Sequence, residues 1–381
     1  MQIRRVLGLG VAIALLAAAG PALAQRNNND RQQQQPPRSQ PADADTIALV
    51  RLVDAVATGQ QPAPADVPVT WESNHFVKGQ GGITYIPFTL AIDRAALADT
   101  GGAAAVYIRA VNKNQPAAPA PPAPAAPAQG NNNNRNNRNQ PAAPPVPAAP
   151  TYAWDNINFL TIPADGKLSR AIALQPGEYD LLIGIKERTT PPADPKAAAA
   201  AAAAPAAPQK MTVVRRDLTV PDFNKAELQT SSVILASAVE PLATPLSAGE
   251  QEANPYVFGP MRIVPNTPGR FKKSDELQVI FWIYGAGAAA GGKPDVTVEF
   301  NFHQKNADGT EKYFNKTEPQ VLNAQTLPAE FSVAAGHQLP GSLVVGLVPF
   351  PVGDYRLEIK ITDKPTGKVV TQNVNFTVVP V

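Results

Sequence analysis

The chain contains the same turn-and-strand pattern twice, and this repetition constrains the fold more than any other feature. The segment PGEYDLLIGIKE contains Gly177 and Tyr179, and the segment VGDYRLEIKITD contains Gly353 and Tyr355. Each places a glycine suited to a tight turn before a tyrosine and a strand with apolar residues at every second position. A buried tyrosine of this kind, hydrogen-bonded through its hydroxyl, is the corner device of immunoglobulin-like sandwiches. We therefore predict that these four residues form two equivalent structural corners.

The strands around the two corners also correspond. Residues 83–92 and 277–284 are strand-like, and each is followed by a Gly-Gly loop and an alternating apolar segment. After the corners, residues 211–220 match residues 369–378. Landmarks that recur in the same order favour a diverged internal repeat. The predicted fold is all-β: two tandem immunoglobulin-like β-sandwiches with disordered Pro/Ala/Asn-rich insertions and one short N-terminal helix.

The N-terminus has the pattern of a secretory signal peptide. Arg4 and Arg5 precede an apolar run, and Ala22 and Ala24 provide a small-x-small cleavage pattern, so that Gln25 would begin the mature chain. Without cysteine the chain has no disulfide framework and no lipid-attachment site. We expect an exported protein, periplasmic or extracellular, with no membrane anchor after cleavage; the alternative is an uncleaved anchor.

Composition divides the remaining chain into proline-rich tracts and segments that can form a folded domain. Prolines concentrate in a few Ala-, Asn- or Gln-rich tracts that cannot bury a core: 19 of the 41 lie in residues 25–44, 115–151 and 190–209. The helix predicted after residue 45 has apolar residues at helical spacing and would dock on the first sandwich or bind a partner. We interpret the inserted tracts either as spacers or cell-wall or matrix contacts, or as loop expansions that the fold tolerates, since the entropic cost of a loop grows slowly with its length. The predicted boundaries are 1–24 signal peptide, 25–44 disordered, 45–66 helix and linker, 67–222 first sandwich with insertions 115–151 and 190–209, and 223–381 second sandwich.

A resemblance can be named for residues 228–378. A serine-bearing strand, a proline-rich turn, the segment FKKSDELQVIFWIYG and the closing segment PVGDYRLEIKITDKPTGK resemble the sandwich domain of secreted bacterial proteins of the GWxTD type. They are also similar to bacterial fibronectin type III-like modules. The resemblance implies a β-sandwich. The GWxTD motif itself is absent, so no functional residue is carried over from that family.

Motifs that would indicate catalysis or metal binding have simpler interpretations. Residues 287–293 fit GxxxxGK, but Pro294 replaces the hydroxyl residue of a phosphate loop and a strand pattern follows instead of a helix. The Asp-Gly pairs are typical of hairpin turns, and the three histidines have no partner at ligand spacing. Glu178 and Asp354 occupy equivalent turn positions. We predict no catalytic, cofactor-binding or metal-ligating residues.

Function is less constrained than fold. The net charge of +2 gives no indication of nucleic-acid binding. The preferred interpretation is a non-enzymatic binding, adhesion or structural protein of the bacterial cell envelope, whose partner is an unknown protein or an envelope polysaccharide. One alternative is a periplasmic chaperone-like module that acts by edge-strand pairing. Another is a carbohydrate-binding module in which Trp71 and Tyr85 contact the ligand through their rings.

Overall fold

The computed structural model describes residues 44–114, 152–188 and 209–381, apart from positions 245, 290 and 334. The predicted signal peptide lies outside the described residues. The tracts predicted to be disordered also lie outside the described residues, except for their last residues Ala44 and Gln209. The described chain is all-β, as predicted, and its four sheets form two sandwiches.

The first sandwich contains eight strands in two sheets. We call β1, β2, β3 and β6 the first interface sheet, and β4, β5, β7 and β8 the first outer sheet. Side chains from both sheets form one core, because alternate residues of every strand point inward. The strands are β1 (Val69–Asn74), β2 (Val77–Lys78), β3 (Thr84–Ile92), β4 (Ala103–Asn112), β5 (Trp154–Thr161), β6 (Lys167–Leu174), β7 (Gly177–Glu187) and β8 (Met211–Val220).

The second sandwich has the same plan with additional short strands. The second interface sheet is β9 to β12 with β14 and β18, and the second outer sheet is β13, β15 to β17, β19 and β20. The strands are β9 (Gln229–Thr230), β10 (Ile234–Pro241), β11 (Val257–Phe258), β12 (Met261–Pro265), β13 (Arg270–Lys272), β14 (Glu276–Tyr284), β15 (Val296–Lys305), β16 (Glu311–Lys316), β17 (Gln320–Leu322), β18 (Leu339–Gly346), β19 (Gly353–Asp363) and β20 (Lys368–Val379).

Strand registers repeat between the two sandwiches. Gly177 pairs with Val220 as Gly353 pairs with Val378, so β7–β8 and β19–β20 are the same hairpin. The partner strands agree as well: Tyr179 lies opposite Asn112, as Tyr355 lies opposite Gln304. Since a slip of one residue would exchange the two faces of a strand, this agreement indicates one fold used twice.

The predicted helix, α1 (Ala44–Ala57), packs on the first outer sheet. Its buried residues are Leu49, Leu52, Val53 and Val56, which recur at helical spacing and contact the outward faces of β4, β7 and β8. Its acidic residues reach cations of the sheet: Asp54 pairs with Arg109, and Asp45 pairs with Lys186 and Arg188. A helix this short is marginal alone, so this packing stabilises it.

Among the described residues no helix packs on the second outer sheet, because the outward face of this sheet is polar. Gly184 of β7 lies opposite Tyr107, whereas the equivalent Lys360 of β19 lies opposite Glu299. The side chains of Lys360 and Glu299 form an ion pair, 3.1 Å between Nζ and Oε2. An apolar helix face placed there would desolvate these charges without compensation.

Three local features differ from what the sequence pattern predicts. A proline inside a strand pattern, such as Pro87, is expected at a sheet edge or a bulge. β3 is central, and Pro87 faces the break between β1 and β2, where the neighbouring ladder is interrupted. The apolar pattern of residues 228–239 predicts one opening strand, but the structure divides this segment into β9 and β10. A second α-helix, α2 (Ala248–Ala253), was not predicted; Ser247 and Glu250 form its capping box. A 3-10 helix also spans Arg94–Thr100.

Candidate binding edge beside the interface of the two sandwiches

An apolar interface joins the two interface sheets. Tyr85 and Ala171 of the first sheet pack against Ile280 and Trp282 of the second, within one buried cluster. The ring of Trp282 lies 4.8 Å from that of Phe258, centroid to centroid. Burial of this many apolar side chains between domains favours one rigid body over two mobile ones.

Hydrogen bonds fix the register of the interface. Phe76 and Ser232 exchange two bonds: the backbone N–H of Phe76 donates to Ser232 Oγ at 2.8 Å, and the backbone N–H of Ser232 donates to the Phe76 carbonyl at 2.9 Å. The backbone N–H of Lys78 donates to the hydroxyl of Tyr284 at 3.0 Å. Directional bonds of this kind resist sliding of one apolar face over another.

Beside this interface the second interface sheet ends at β18. This strand pairs with β14 along its whole length and is the last strand of the sheet. Residues 338–353, which contain β18 and the following loop, include no charged residue. In the described chain, every other edge strand longer than three residues carries charge, as in Glu72 of β1, Asp155 of β5, Lys167 of β6, Arg215 of β8 and Lys312 of β16. Charged residues on edge strands prevent pairing with other chains, so β18 lacks the usual protection.

The hydrogen bonds of β18 show which backbone groups face outward. The backbone N–H of Ser342 donates to Gln320 Oε1 at 3.2 Å instead of to β14. In an antiparallel ladder every second residue faces the same way, so Pro340, Val344 and Gly346 also direct their backbone groups outward. Pro340 has no N–H, and Gln320 covers that of Ser342. The outward N–H groups of Val344 and Gly346 are therefore the donors that this edge offers.

Side chains on this edge are apolar on both faces of the sheet. Leu343 and Val345 pack against the core of the second sandwich. Val344 lies on the opposite face, the face that carries Ile280 and Trp282, and is 59% exposed. Val348, in the loop after β18, is 67% exposed. An incoming strand would therefore meet open backbone donors and apolar side chains together.

The equivalent edge of the first sandwich is different. β6 pairs with β3 as β18 pairs with β14, but it carries Lys167 and Arg170. The α2 helix packs beside β6, and Glu252 of this helix accepts a hydrogen bond from Asn156 Nδ2 of β5 at 2.8 Å. The same position in the repeat is thus charged and covered in the first sandwich, whereas in the second it is uncharged and no described segment pairs with it.

The predicted corner residues occupy equivalent structural positions away from this edge. Both tyrosine rings are buried, and Gly177 and Gly353 have φ of 151° and 148°, where a side chain would strain the backbone. The acids between them are also equivalent: Glu178 accepts a hydrogen bond from the hydroxyl of Thr219, as Asp354 accepts one from Thr377. These bonds give both acids the same structural role, which is to tie the start of β7 to β8 and the start of β19 to β20.

The two aromatic residues considered as sugar contacts do not share a surface. Trp71 faces the first core, with its ring stacked on Phe88 at 4.9 Å between centroids. Tyr85 faces the sandwich interface, is 1% exposed and donates its hydroxyl to the Pro255 carbonyl at 2.9 Å. Trp71 lies opposite Leu90 of β3 and shares its face. Tyr85 is five residues from Leu90 on the same strand, and because side chains alternate along a strand it points to the other face. The predicted stacking surface of Trp71 and Tyr85 is therefore not formed.

The GxxxxGK segment, for which we predicted no phosphate binding, has a structural role. The backbone N–H of Gly287, at the start of the GxxxxGK segment, donates to Asp363 Oδ2 at 2.9 Å, and the segment connects two strands. Among the residues that the structure describes, no group of three or more His, Asp and Glu side chains could hold a metal ion. No helix in this part of the chain has the length and apolar character needed to cross a membrane.

Sequence reasoning missed Val344 and Gly346 as functional candidates. A signal was present, because the uncharged run at 338–353 is visible in the sequence. What the sequence did not show is that this run ends a sheet, since edge position depends on the strand order of the whole sandwich.

Comparisons with known proteins leave the family open. No protein-family model matches the chain, which gives no support to the resemblance to GWxTD-type proteins, and a search of curated proteins also found no match. Among solved structures, the native conformation of E. coli alpha-2-macroglobulin is similar at 8% identity over 84% of this chain and 16% of that chain, with a TM-score of 0.20. Methylamine-reacted Salmonella alpha-2-macroglobulin is similar at 9% identity over 82% and 16%, with a TM-score of 0.19.

A family 123 glycoside hydrolase from Clostridium perfringens is similar at 8% identity over 39% of this chain and 28% of that chain, with a TM-score of 0.18. This chain thus spans less than a third of the length of each of these three proteins. At these TM-scores the similarities carry no argument about function.

Proposed function

We propose that this protein is an exported, non-enzymatic binding protein of the bacterial cell envelope that holds another polypeptide by accepting an extended segment at β18. The observation that carries the proposal is the uncharged edge with outward N–H groups at Val344 and Gly346. Strand addition supplies affinity through backbone hydrogen bonds and specificity through alternate side chains. Export is supported by the signal-peptide pattern of residues 1–24.

A polypeptide fits this edge better than a polysaccharide does. The edge presents backbone donors and acceptors at strand spacing beside exposed valine side chains. A sugar ring would instead stack on exposed aromatic faces, and Trp71 and Tyr85 do not provide such a pair. The rigid interface beside β18 keeps the edge preorganised, which lowers the entropic cost of binding.

The test uses a fluorescently labelled peptide of alternating Val and Thr, with an oligolysine tail for solubility, and measures its anisotropy as protein is added. We expect saturable binding to the wild type. Val344→Lys introduces an edge charge, and Gly346→Pro removes an outward N–H; each should weaken binding at least about tenfold. The matched control is Val369→Lys, since Val369 is 50% exposed and lies on β20.

Equal peptide binding by the wild type and Val344→Lys, or no binding by the wild type, would contradict the proposal. Localisation is tested separately by fractionating producing cells and sequencing the N-terminus of the mature protein, which should begin at Gln25. Recovery of the intact N-terminus in the cytosol would contradict export.

A further inference from the structure

We infer that the polypeptide accepted at this edge is a second copy of the same chain, paired through β18 about a twofold axis. The inference rests on the proposed function, because it requires β18 to accept a strand. It adds the identity of the partner and the geometry of the pairing.

The outward backbone groups of β18 are self-complementary. If the axis passes beside Val344, antiparallel pairing places Val344 opposite its counterpart and Ser342 opposite Gly346 of the second copy. Val344 then exchanges both of its bonds with the other Val344, and the N–H of Gly346 donates to the Ser342 carbonyl of the second copy. A complete ladder would also use the N–H of Ser342, as donor to the Gly346 carbonyl of the second copy. Gln320 holds that N–H, so while its bond remains each pair of Ser342 with Gly346 forms one bond instead of two.

Charge favours the same partner. In a twofold strand pair the residues near the axis lie opposite, or close to, their own counterparts, and like charges placed opposite each other are destabilising. The described edge strands that carry Lys312 or Arg215 would bring like charges together, whereas residues 338–353 bring none. An exposed and uncharged strand is therefore available on every copy of the chain at the same concentration as its acceptor.

The internal repeat allows the surroundings of β18 to be compared with those of the equivalent strand, β6. In the first sandwich, the α2 helix lies beside the equivalent strand, β6, and Glu252 of this helix bonds to Asn156. In the second sandwich Val344 is 59% exposed at the corresponding strand. A second copy would cover β18 in place of a helix and would join the two second interface sheets into one continuous sheet.

The test is the molar mass of the full mature chain by light scattering after size-exclusion chromatography over a range of concentrations. We expect the wild-type mass to approach twice that of one chain as concentration rises. Val344→Lys and Gly346→Pro should remain at one chain mass throughout, and Val369→Lys should behave as the wild type. Circular dichroism of each variant establishes that a lost dimer is not lost folding.

Two results separate this inference from the proposed function. A wild type that is monomeric at every concentration but binds the Val/Thr peptide would overturn self-pairing and leave the strand-accepting edge in place. A dimer that persists in both Val344→Lys and Gly346→Pro would show that the copies meet elsewhere, and would also overturn the inference.

Discussion

Tyr179 and Tyr355 make the same hydrogen bond in the two sandwiches. The hydroxyl of Tyr179 donates to the carbonyl of Gln175 at 2.9 Å, and that of Tyr355 donates to the carbonyl of Pro351 at 2.8 Å, each four residues back along the chain. Both rings are at most 1% exposed. Each tyrosine thereby ties the turn before its strand to the core of its sandwich, as the corner device does in immunoglobulin-like folds.

Removing either hydroxyl should destabilise the protein modestly. Tyr179→Phe and Tyr355→Phe keep the buried ring and lose one hydrogen bond, so we expect each to lower the free energy of unfolding by about 0.5–1.5 kcal/mol. Urea unfolding followed by circular dichroism measures this change. The control is Tyr313→Phe, because Tyr313 is 52% exposed and its change should stay within about 0.5 kcal/mol. Corner variants no less stable than this control would show that the hydroxyl bonds contribute nothing.

Acidification should weaken the protein through His75. Its Nδ1 lies 3.0 Å from the hydroxyl of Tyr256 between the sandwiches, and burial lowers the pKa of His75 from 6.5 to about 4. Between these values the unfolded chain binds a proton that the folded chain does not, so stability falls as pH drops from about 6.5 to about 4. We expect this residue to account for a loss of about 1–3 kcal/mol.

Unfolding in urea at several pH values tests this prediction. His75→Gln cannot take up the proton, so the variant should lose the part of the pH dependence that belongs to this window, while the contribution of the carboxylates remains. If the wild type and His75→Gln have parallel stability curves from pH 6.5 to pH 4, the prediction about His75 is wrong.

The packing of α1 depends on the absence of a side chain at Gly184. A Cβ at this position would lie 3.0 Å from Val53 Cγ2 and 3.1 Å from Leu49 Cδ2 of the helix. We therefore expect Gly184→Val to displace α1, to increase hydrogen exchange at its backbone amides and to cost about 1–3 kcal/mol. The matched control is Lys360→Val, at the equivalent position of the second sandwich. Unchanged exchange of α1 in Gly184→Val would contradict this account of its docking.

The two sandwiches should unfold as one unit while their interface is intact. Trp282 is 7% exposed and packs in the interface cluster. Trp282→Ala should cost about 3–5 kcal/mol and separate a single calorimetric transition into two. For comparison, Phe281→Ala removes a neighbouring ring from the core of the second sandwich and should destabilise that sandwich without removing an interface side chain. Two transitions already present in the wild type would show that the interface does not couple the sandwiches.

Local patterns determined much of this architecture. Alternation along the strand after Tyr179 and along the strand after Tyr355 identified both strands and the hairpins that follow them, because inward and outward positions differ in polarity wherever one face is buried. The residue pairing within each hairpin came from the structure. The helical spacing of Ile47, Val50, Val53, Val56 and Ala57 was sufficient to predict α1, but it did not fix the buried face. Ile47 is 39% exposed, whereas Leu49 and Leu52 are buried. The N-terminal 43 residues and the inserted tracts lie outside the described residues, so what we predict for them stays a prediction.

Only the tertiary structure decided how those elements meet. Tyr85 and Trp71 have similar side chains and lie close in sequence, yet one faces the second sandwich and the other faces the first core. Val344 is one apolar residue among many in the sequence, and it becomes a candidate contact because, among the described strands, β18 has a neighbour on one side only. Strand order, edge position and the choice of covered faces depend on contacts between residues far apart in the chain. A pattern of neighbouring residues cannot encode these contacts by itself, because the free energy of each depends on the whole assembled sheet.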